Sequence, residues 1–277
     1  MAGPRTLSDR ARARVVALES SNGEWVPPTP RGACTVILVR DGEDGLETFL
    51  IRRADTMKFA ARMHVFPGGK VDPIDFERKI NLGIGTDERA TLARRASVEE
   101  AGLDALFSCA ARELVEEVGV DVGTLDDEGV LHIDVHQLPI VGQMITPEIE
   151  DRRYDVRFFV AALAPGTHVE AITTEAVDGF WISAREALVR NSRGDLTMLT
   201  PTIMRLQELA AANDVEEFLA QAREFTVLPL MPKPVVDADG SVHWMMVNER
   251  TGEVLDDGVR GPDVMETDGA PIHEDIT

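Results

Sequence analysis

Apolar positions near the start of the chain fall in two strand-like segments, ACTVILVR at 33 to 40 and LETFLIRR at 46 to 53, separated by the turn-rich DGEDG. The pair predicts a β-hairpin, because β-branched and aromatic runs bounded by Gly and Asp favour extended chain with a tight reversal. MHVFPGGKVD, residues 63 to 72, predicts a short strand running into a bend at Pro67, Gly68 and Gly69. Without side chains there, the backbone can approach a ligand closely. The period then changes. Residues 76 to 103 are charge-mixed with helix-forming composition, and from about Leu103 to Val118 a helix is expected, with Ala110, Leu114 and Val118 on its apolar stripe and Gly119 at its C′ position.

Further strands are expected at 130 to 136, 137 to 145, 154 to 163 and 179 to 183. Helices are expected at 183 to 191, opened by the cap pattern SARE, and at 201 to 223, with Pro201 in the first turn. A short helix from Leu7 to Leu18, with Ser8 as its cap, precedes the proline-rich EWVPPTPRG. Beyond about 229 the chain is Pro-rich, then hairpin-like in SVHWMMVNERTGEVL, then acidic after 256. This divides the chain into an N-terminal extension and linker (1–30), a core domain (31–190) with an insertion at about 76–103, and a C-terminal helical segment with a hairpin-like, acidic tail (191–277).

Composition narrows the function class. A chain of 277 residues suits one core domain with sizeable additions, and 44% hydrophobic residues are enough to bury a core. The net charge of −21 argues against a nucleic-acid backbone as the main partner, although a local basic site can still hold a phosphorylated small molecule. Cys34 and Cys109 have no zinc spacing and sit in apolar runs, which reads as two free buried thiols in a reducing setting. With neither a secretory signal nor an apolar run long enough to span a bilayer, the expected location is the cytoplasm, with no membrane partner.

The chemistry is concentrated in CAARELVEEVGV, residues 109 to 120. On a helix Glu113, Glu116 and Glu117 stand at i, i+3 and i+4, so their carboxylates share a face and repel one another. A solvated acidic face is the bland alternative. A bound cation makes the cluster favourable, and an all-oxygen donor set suits Mg²⁺ or Mn²⁺ rather than zinc. Arg112 is placed to pair with Glu116 at i+4.

RELVEEVGV (112–120) resembles the second half of the Nudix box, and FPGGKVDPID (66–75) resembles its first half. The spacing departs from the family's: Gly69 is followed after five residues by Asp75 rather than Glu, and Arg112 stands 37 positions beyond Asp75, so the insertion splits the motif. Asp104 lies at the family's spacing counted back from Arg112, and either aspartate fits the supporting position. The resemblance implies a Nudix-type α/β/α sandwich with a mixed sheet. It also implies Glu113, Glu116, Glu117 and the Gly68 carbonyl as metal ligands, with Arg112 orienting a glutamate. The implied reaction is hydrolysis of a nucleoside diphosphate linked to another group, with Glu116 or Glu117 as base and Glu175 as a loop alternative.

FLIRRADTMKFAARMHVFPGG (49–69) resembles the signature of Nudix coenzyme A diphosphatases at Arg53, Ala54, Lys58, Arg62 and Phe66, with Lys58 in place of Arg and Arg62 in place of Gly. The split box resembles the long-insertion, peroxisomal-type group of these enzymes, although the chain ends EDIT rather than in a peroxisomal tripeptide. Arg53, Lys58, Arg62 and Gly69 are the expected substrate contacts, because the 3′-phosphate of coenzyme A calls for cations. Alternative readings are ADP-ribose, NADH or another nucleoside diphosphate derivative as substrate, or a non-catalytic Nudix-fold binding module. The insertion is a candidate lid or homodimer element. His132 and His136 read as ordinary strand positions, His64 as a candidate substrate contact, and Phe158, Phe159 and Trp181 as core.

Overall fold

A computed structural model of the chain describes residues 7–20, 24–43, 45–57, 60–164, 166–173, 176–224, 226–237 and 241–259. The expected hairpin is present as β1 (Arg31–Gly42) and β2 (Gly45–Arg53), paired antiparallel with Gly42 opposite Gly45. The glycine bend follows as β3 (His64–Val65), which pairs with β2, and β4 (Gly68–Lys70), which pairs with β1. The first half of the box runs into α2 (Pro73–Glu77); the insertion region then contains β5 (Ile80–Asn81) and α3 (Thr86–Arg95), and leads into α4 (Glu100–Val118). Then come β6 (Thr124–Leu125), β7 (Leu131–His132), β8 (Ile140–Ile145), β9 (Tyr154–Ala162) and β10 (Ala176–Ser183). The chain continues through α5 (Ala184–Arg193), α6 (Thr200–Ala211), α7 (Val215–Glu224), β11 (Pro229–Val236), β12 (Val242–Asn248) and β13 (Val254–Val259). The helix near the N-terminus is α1 (Asp9–Ser20).

One mixed sheet runs in the order β10-β2-β1-β9-β8-β11-β12-β13. The β1/β9 and β8/β11 pairs are parallel and the remaining pairs antiparallel. The side-chain alternation of a strand divides β1 between two cores. Cys34, Val36 and Leu38 face α4, whereas Ile37 and Val39 face the layer of α5, α6 and α7. This is the expected α/β/α sandwich. The C-terminal strands extend the same sheet, and α1 closes over them through Ala11 and Val15 against Ile149 and Trp244.

Helix α4 forms because its buried positions repeat at helical spacing: Leu103, Leu106, Phe107, Ala110, Leu114 and Val118 pack into the first core. Phe107 meets Phe159 edge to face, with ring centroids 5.1 Å apart, and burying such a ring contributes about 2–3 kcal/mol. Gly119 ends the helix in the left-handed region, at φ 68°.

Several expectations change; α4 begins at Glu100 rather than near Leu103, β8 at Ile140 rather than 137, and β10 at Ala176 rather than 179. Residues 201–223 are two helices, because the Asp214 carboxylate accepts the Glu217 backbone N–H at 2.8 Å and opens α7, a use of Asn-Asp that a continuous helix forbids. Residues 130–136 carry only the two-residue strand β7 of a small β5-β7-β6 sheet, since Asp134 folds the next segment into a turn by accepting the His136 N–H at 2.9 Å. The first helix spans Asp9–Ser20 rather than 7 to 18, although Ser8 does cap it, accepting the Ala11 N–H at 3.2 Å. Among the described residues, no helix is long and apolar enough to cross a membrane.

Candidate active site

The glycine bend lies against the C-terminal half of α4. Gly68 has φ 152°, and a Cβ there would stand 2.3 Å from the Cys34 carbonyl oxygen, so only glycine fits. A Cβ on Gly69 would stand 2.2 Å from a Glu113 carboxylate oxygen. At Gly68 a methyl group would meet fixed backbone of β1, whereas at Gly69 it would displace the Glu113 carboxylate of α4. The Gly68 N–H donates to Glu117 Oε2 at 2.8 Å, which ties the end of β3–β4 to the buried glutamate.

Arg112 is the hub of the site. Its Nε and Nη2 donate to the two oxygens of Asp75, at 3.1 and 2.8 Å, in the bidentate geometry that a planar guanidinium favours. Its Nη1 donates to Glu113 at 2.8 Å and to Glu116 at 3.2 Å, and its Nη2 also reaches the Lys70 carbonyl at 3.1 Å. Asp75 is only 1% exposed. Ser108 Oγ, 3.2 Å away, and the Asp72 N–H, 2.9 Å away, complete its partners. Of the two aspartates that sequence left open, Asp75 meets Arg112. Asp104 instead pairs with Arg89 of α3, because the insertion turns that face of α4 toward its own helix.

Charge is unbalanced here. Burial pushes the Glu113 carboxyl above its ordinary range; Arg112 works against this, and nearby Glu116 and Asp75 add to it. The Arg112 guanidinium is raised by its bond to Asp75 and stays charged. The carboxylates are spoken for by Arg112 and by the Gly68 N–H, and among the described residues no three His, Cys, Asp or Glu side chains converge closely enough to hold a metal ion. The donor set still suits a hard divalent cation chemically: it is all oxygen, it carries more negative than positive charge, and Glu116 is 58% exposed on its side chain.

The basic run before the bend divides. Arg52 pairs with Asp178 at 3.6 Å, and Arg62 pairs with Asp55 at 3.1 Å while remaining 63% exposed. Arg62 has φ 63°, which explains why a glycine suits this position and makes its arginine a strained one. Arg53 lies one strand in from the edge strand β10, opposite Ala176. Lys58 and Glu175 lie outside the described residues. His64 turns from the bend toward the other layer, with its ring 5.9 Å from Phe180 and its Nδ1 3.3 Å from the Thr197 carbonyl.

Sequence reasoning missed Ser108 and the capping role of Asp75. The second had a signal, Asp72-Pro73-Ile74-Asp75, which has capping-box spacing. Ser108 had none beyond lying one helical turn before Arg112.

The family model described as NUDIX domain matches residues 29–200. The chain is similar to a NUDIX hydrolase from Alicyclobacillus acidocaldarius, with 26% identity over 73% of this chain and 99% of that one and a TM-score of 0.56. Looser likenesses include the NUDIX domain of Shewanella oneidensis NrtR complexed with ADP ribose (10% identity, 74% and 97% of the two chains, TM-score 0.42). Another is a C. elegans Ap4A hydrolase (15% identity, 65% and 96%, TM-score 0.39). No curated protein matches the chain.

Proposed function

Because the chain belongs to the Nudix family, a family of pyrophosphohydrolases acting on nucleoside diphosphates linked to a second group, we propose that its substrate is coenzyme A or an acyl-coenzyme A. The products are 3′,5′-ADP and (acyl-)4′-phosphopantetheine. The observation that carries the hydrolase chemistry is the surplus of carboxylates around one arginine beneath the glycine bend. The coenzyme A assignment is supported by the segment from 49 to 69, where Arg53, Ala54 and Phe66 keep the signature spacing, while Arg62 stands where the signature has Gly.

Glu113, Glu116 and Glu117 would hold Mg²⁺ or Mn²⁺, with the Gly68 carbonyl as a further ligand. A divalent cation bound there supplies neutralisation of the charge that develops on the departing phosphate. The rest of the reaction falls to the chain's own residues. Glu116, the most exposed of the three glutamates, takes the proton of the attacking water. The new P–O bond forms as the bond to the bridging oxygen breaks. Arg112, anchored by Asp75, fixes the orientation of Glu113 and Glu116, and Gly68 and Gly69 let the pyrophosphate approach the backbone. Arg53 and Arg62, with Lys58, receive the 3′-phosphate.

The test is incubation of the protein with Mg²⁺ or Mn²⁺ and separate pools of coenzyme A, acetyl-coenzyme A, ADP-ribose and NADH, with products resolved by mass. Release of 3′,5′-ADP and a phosphopantetheine is expected. AMP from ADP-ribose or NADH alone would move the assignment to those substrates, and no product from any pool would remove it.

A further inference from the structure

Two thiols that the hydrolytic chemistry does not use lie directly behind the candidate site. Cys34 on β1 and Cys109 on α4 are both buried and free, and their sulfurs are 2.9 Å apart. Their surroundings join them to the site from both sides. Cys34 is the residue opposite Gly69 in the β1/β4 register, and its carbonyl is the atom that excludes a side chain from Gly68. Cys109 lies one helical turn before Glu113. Its thiol sits 3.3 Å from the Lys70 carbonyl and 3.7 Å from an Arg112 nitrogen.

We propose that Cys34 and Cys109 are a reversible oxidation site, closing to an intrachain disulfide that ties β1 to α4 and weakens the site above it. The oxidant is a hydroperoxide. Hydrogen peroxide converts one thiol to a sulfenic acid with release of water, and the second thiol then displaces the hydroxyl, which leaves as a second water. Two thiols thus lose two electrons and two protons, peroxide is reduced to water, and an S–S bond forms. A thiol or dithiol reductant reverses the step by exchange.

The consequence follows from the fit. A disulfide spans about 2 Å between sulfurs, so closing the 2.9 Å contact draws α4 toward β1. The Glu113 carboxylate lies against Gly69, so a movement of α4 relative to β1 shifts that carboxylate against the bend. Oxidation also removes the thiol proton, so Lys70 keeps Arg112 as a donor but loses Cys109. The bond to the partner thiol and burial hold Cys109 protonated, so the reaction is slow and proceeds through local opening.

The experiment treats reduced full-length protein with hydrogen peroxide, then denatures and alkylates it, and reads the intact mass. The expected product is a monomer that takes up no alkylating agent, returns to two reactive thiols with dithiothreitol, and binds Mn²⁺ roughly tenfold more weakly by calorimetry, the loss typical when support of metal-ligating groups is disturbed. Turnover should fall with it and recover on reduction. Cys34→Ala, and Cys34→Ser if the alanine variant folds poorly, should resist the peroxide effect. Two thiols still alkylated after treatment, or a disulfide only between chains, would overturn the oxidation site. A disulfide that leaves both Mn²⁺ binding and turnover unchanged, or an equal peroxide effect in the Cys34 variants, would overturn its coupling to the site. The turnover and Mn²⁺ arms rest on the hydrolase reading with its metal; the mass arm does not, so failure of that reading alone would appear as a reduced protein with neither turnover nor Mn²⁺ binding that still closes the reversible intrachain disulfide.

Discussion

Arg112 and Arg157 are both arginines held by several partners on the α4 side of the sheet, and they serve opposite ends. Arg157 is 2% exposed and meets one carboxylate, Asp155, at 2.6 Å; its other bonds go to the carbonyls of Asp155, Ala96 and Ser97. One charge is matched by one charge. The result is an anchor that pins the turn between α3 and α4, where Ser97 sits at φ 58°, to strand β9. Arg112 is 14% exposed and faces three carboxylates, with Glu117 beside them on the Gly68 N–H. A buried, balanced pair ends in structure, because nothing further is needed to neutralise it. An acidic surplus at the mouth of a bend is stable only with a positive partner from outside. The contrast in charge balance, more than burial, separates the site from the scaffold.

That contrast can be broken at either end. The largest effect is expected for Glu116→Gln, which should lower turnover by on the order of 10³-fold while leaving the thermal midpoint close to that of the parent, since proton transfer by a positioned carboxylate contributes about 10²–10⁴-fold. Unchanged turnover would take the base role away from Glu116. Arg157→Ala should behave in the reverse way. It should cost about 1–3 kcal/mol in urea unfolding, because the Ala96 and Ser97 carbonyls lose their donor, with turnover per folded molecule preserved. Lost turnover at full stability would show that the anchor and the site are one unit.

The smallest effect concerns His64, a buried titratable side chain with no acidic surplus around it, which by the same reasoning should act on stability alone. Burial lowers its pKa below the ordinary 6.5, against the opposing pull of the Thr197 carbonyl and Asp178. In the window from 6.5 down to that lowered value the unfolded chain binds more protons than the folded one. The stability held by neutral His64 is therefore present above pH 6.5 and lost as pH falls through that window. Urea unfolding on both sides of pH 6.5 should show this slope, and His64→Gln should flatten it. A change in turnover instead would bring His64 back into the site.

Much of this was legible one segment at a time. The hairpin of β1 and β2, the Gly119 terminus of α4 and the spacing of Glu113, Glu116 and Glu117 all follow from patterns a few residues long. The break between α6 and α7 was equally local but was hidden by an apolar pattern that runs through it; the Asp214 cap is what decides it. The second half of the split box was recognisable because its residues act within two turns of one helix. The first half was recognisable because a Gly-Gly bend constrains the backbone directly.

By itself, then, the sequence determined the acidic face of α4 and the glycine bend, since each depends on residues a few positions apart in the chain, while the helix layer on each side of the sheet was implied by the resemblance to the Nudix box. Only the tertiary structure decided which aspartate holds Arg112, that Cys34 meets Cys109, and that Arg157 anchors the insertion. Those pairings join segments that lie far apart along the chain. Their partners are set by how the insertion packs on α4 and by the register of β1 with β4 and β9, which no local pattern of residues encodes.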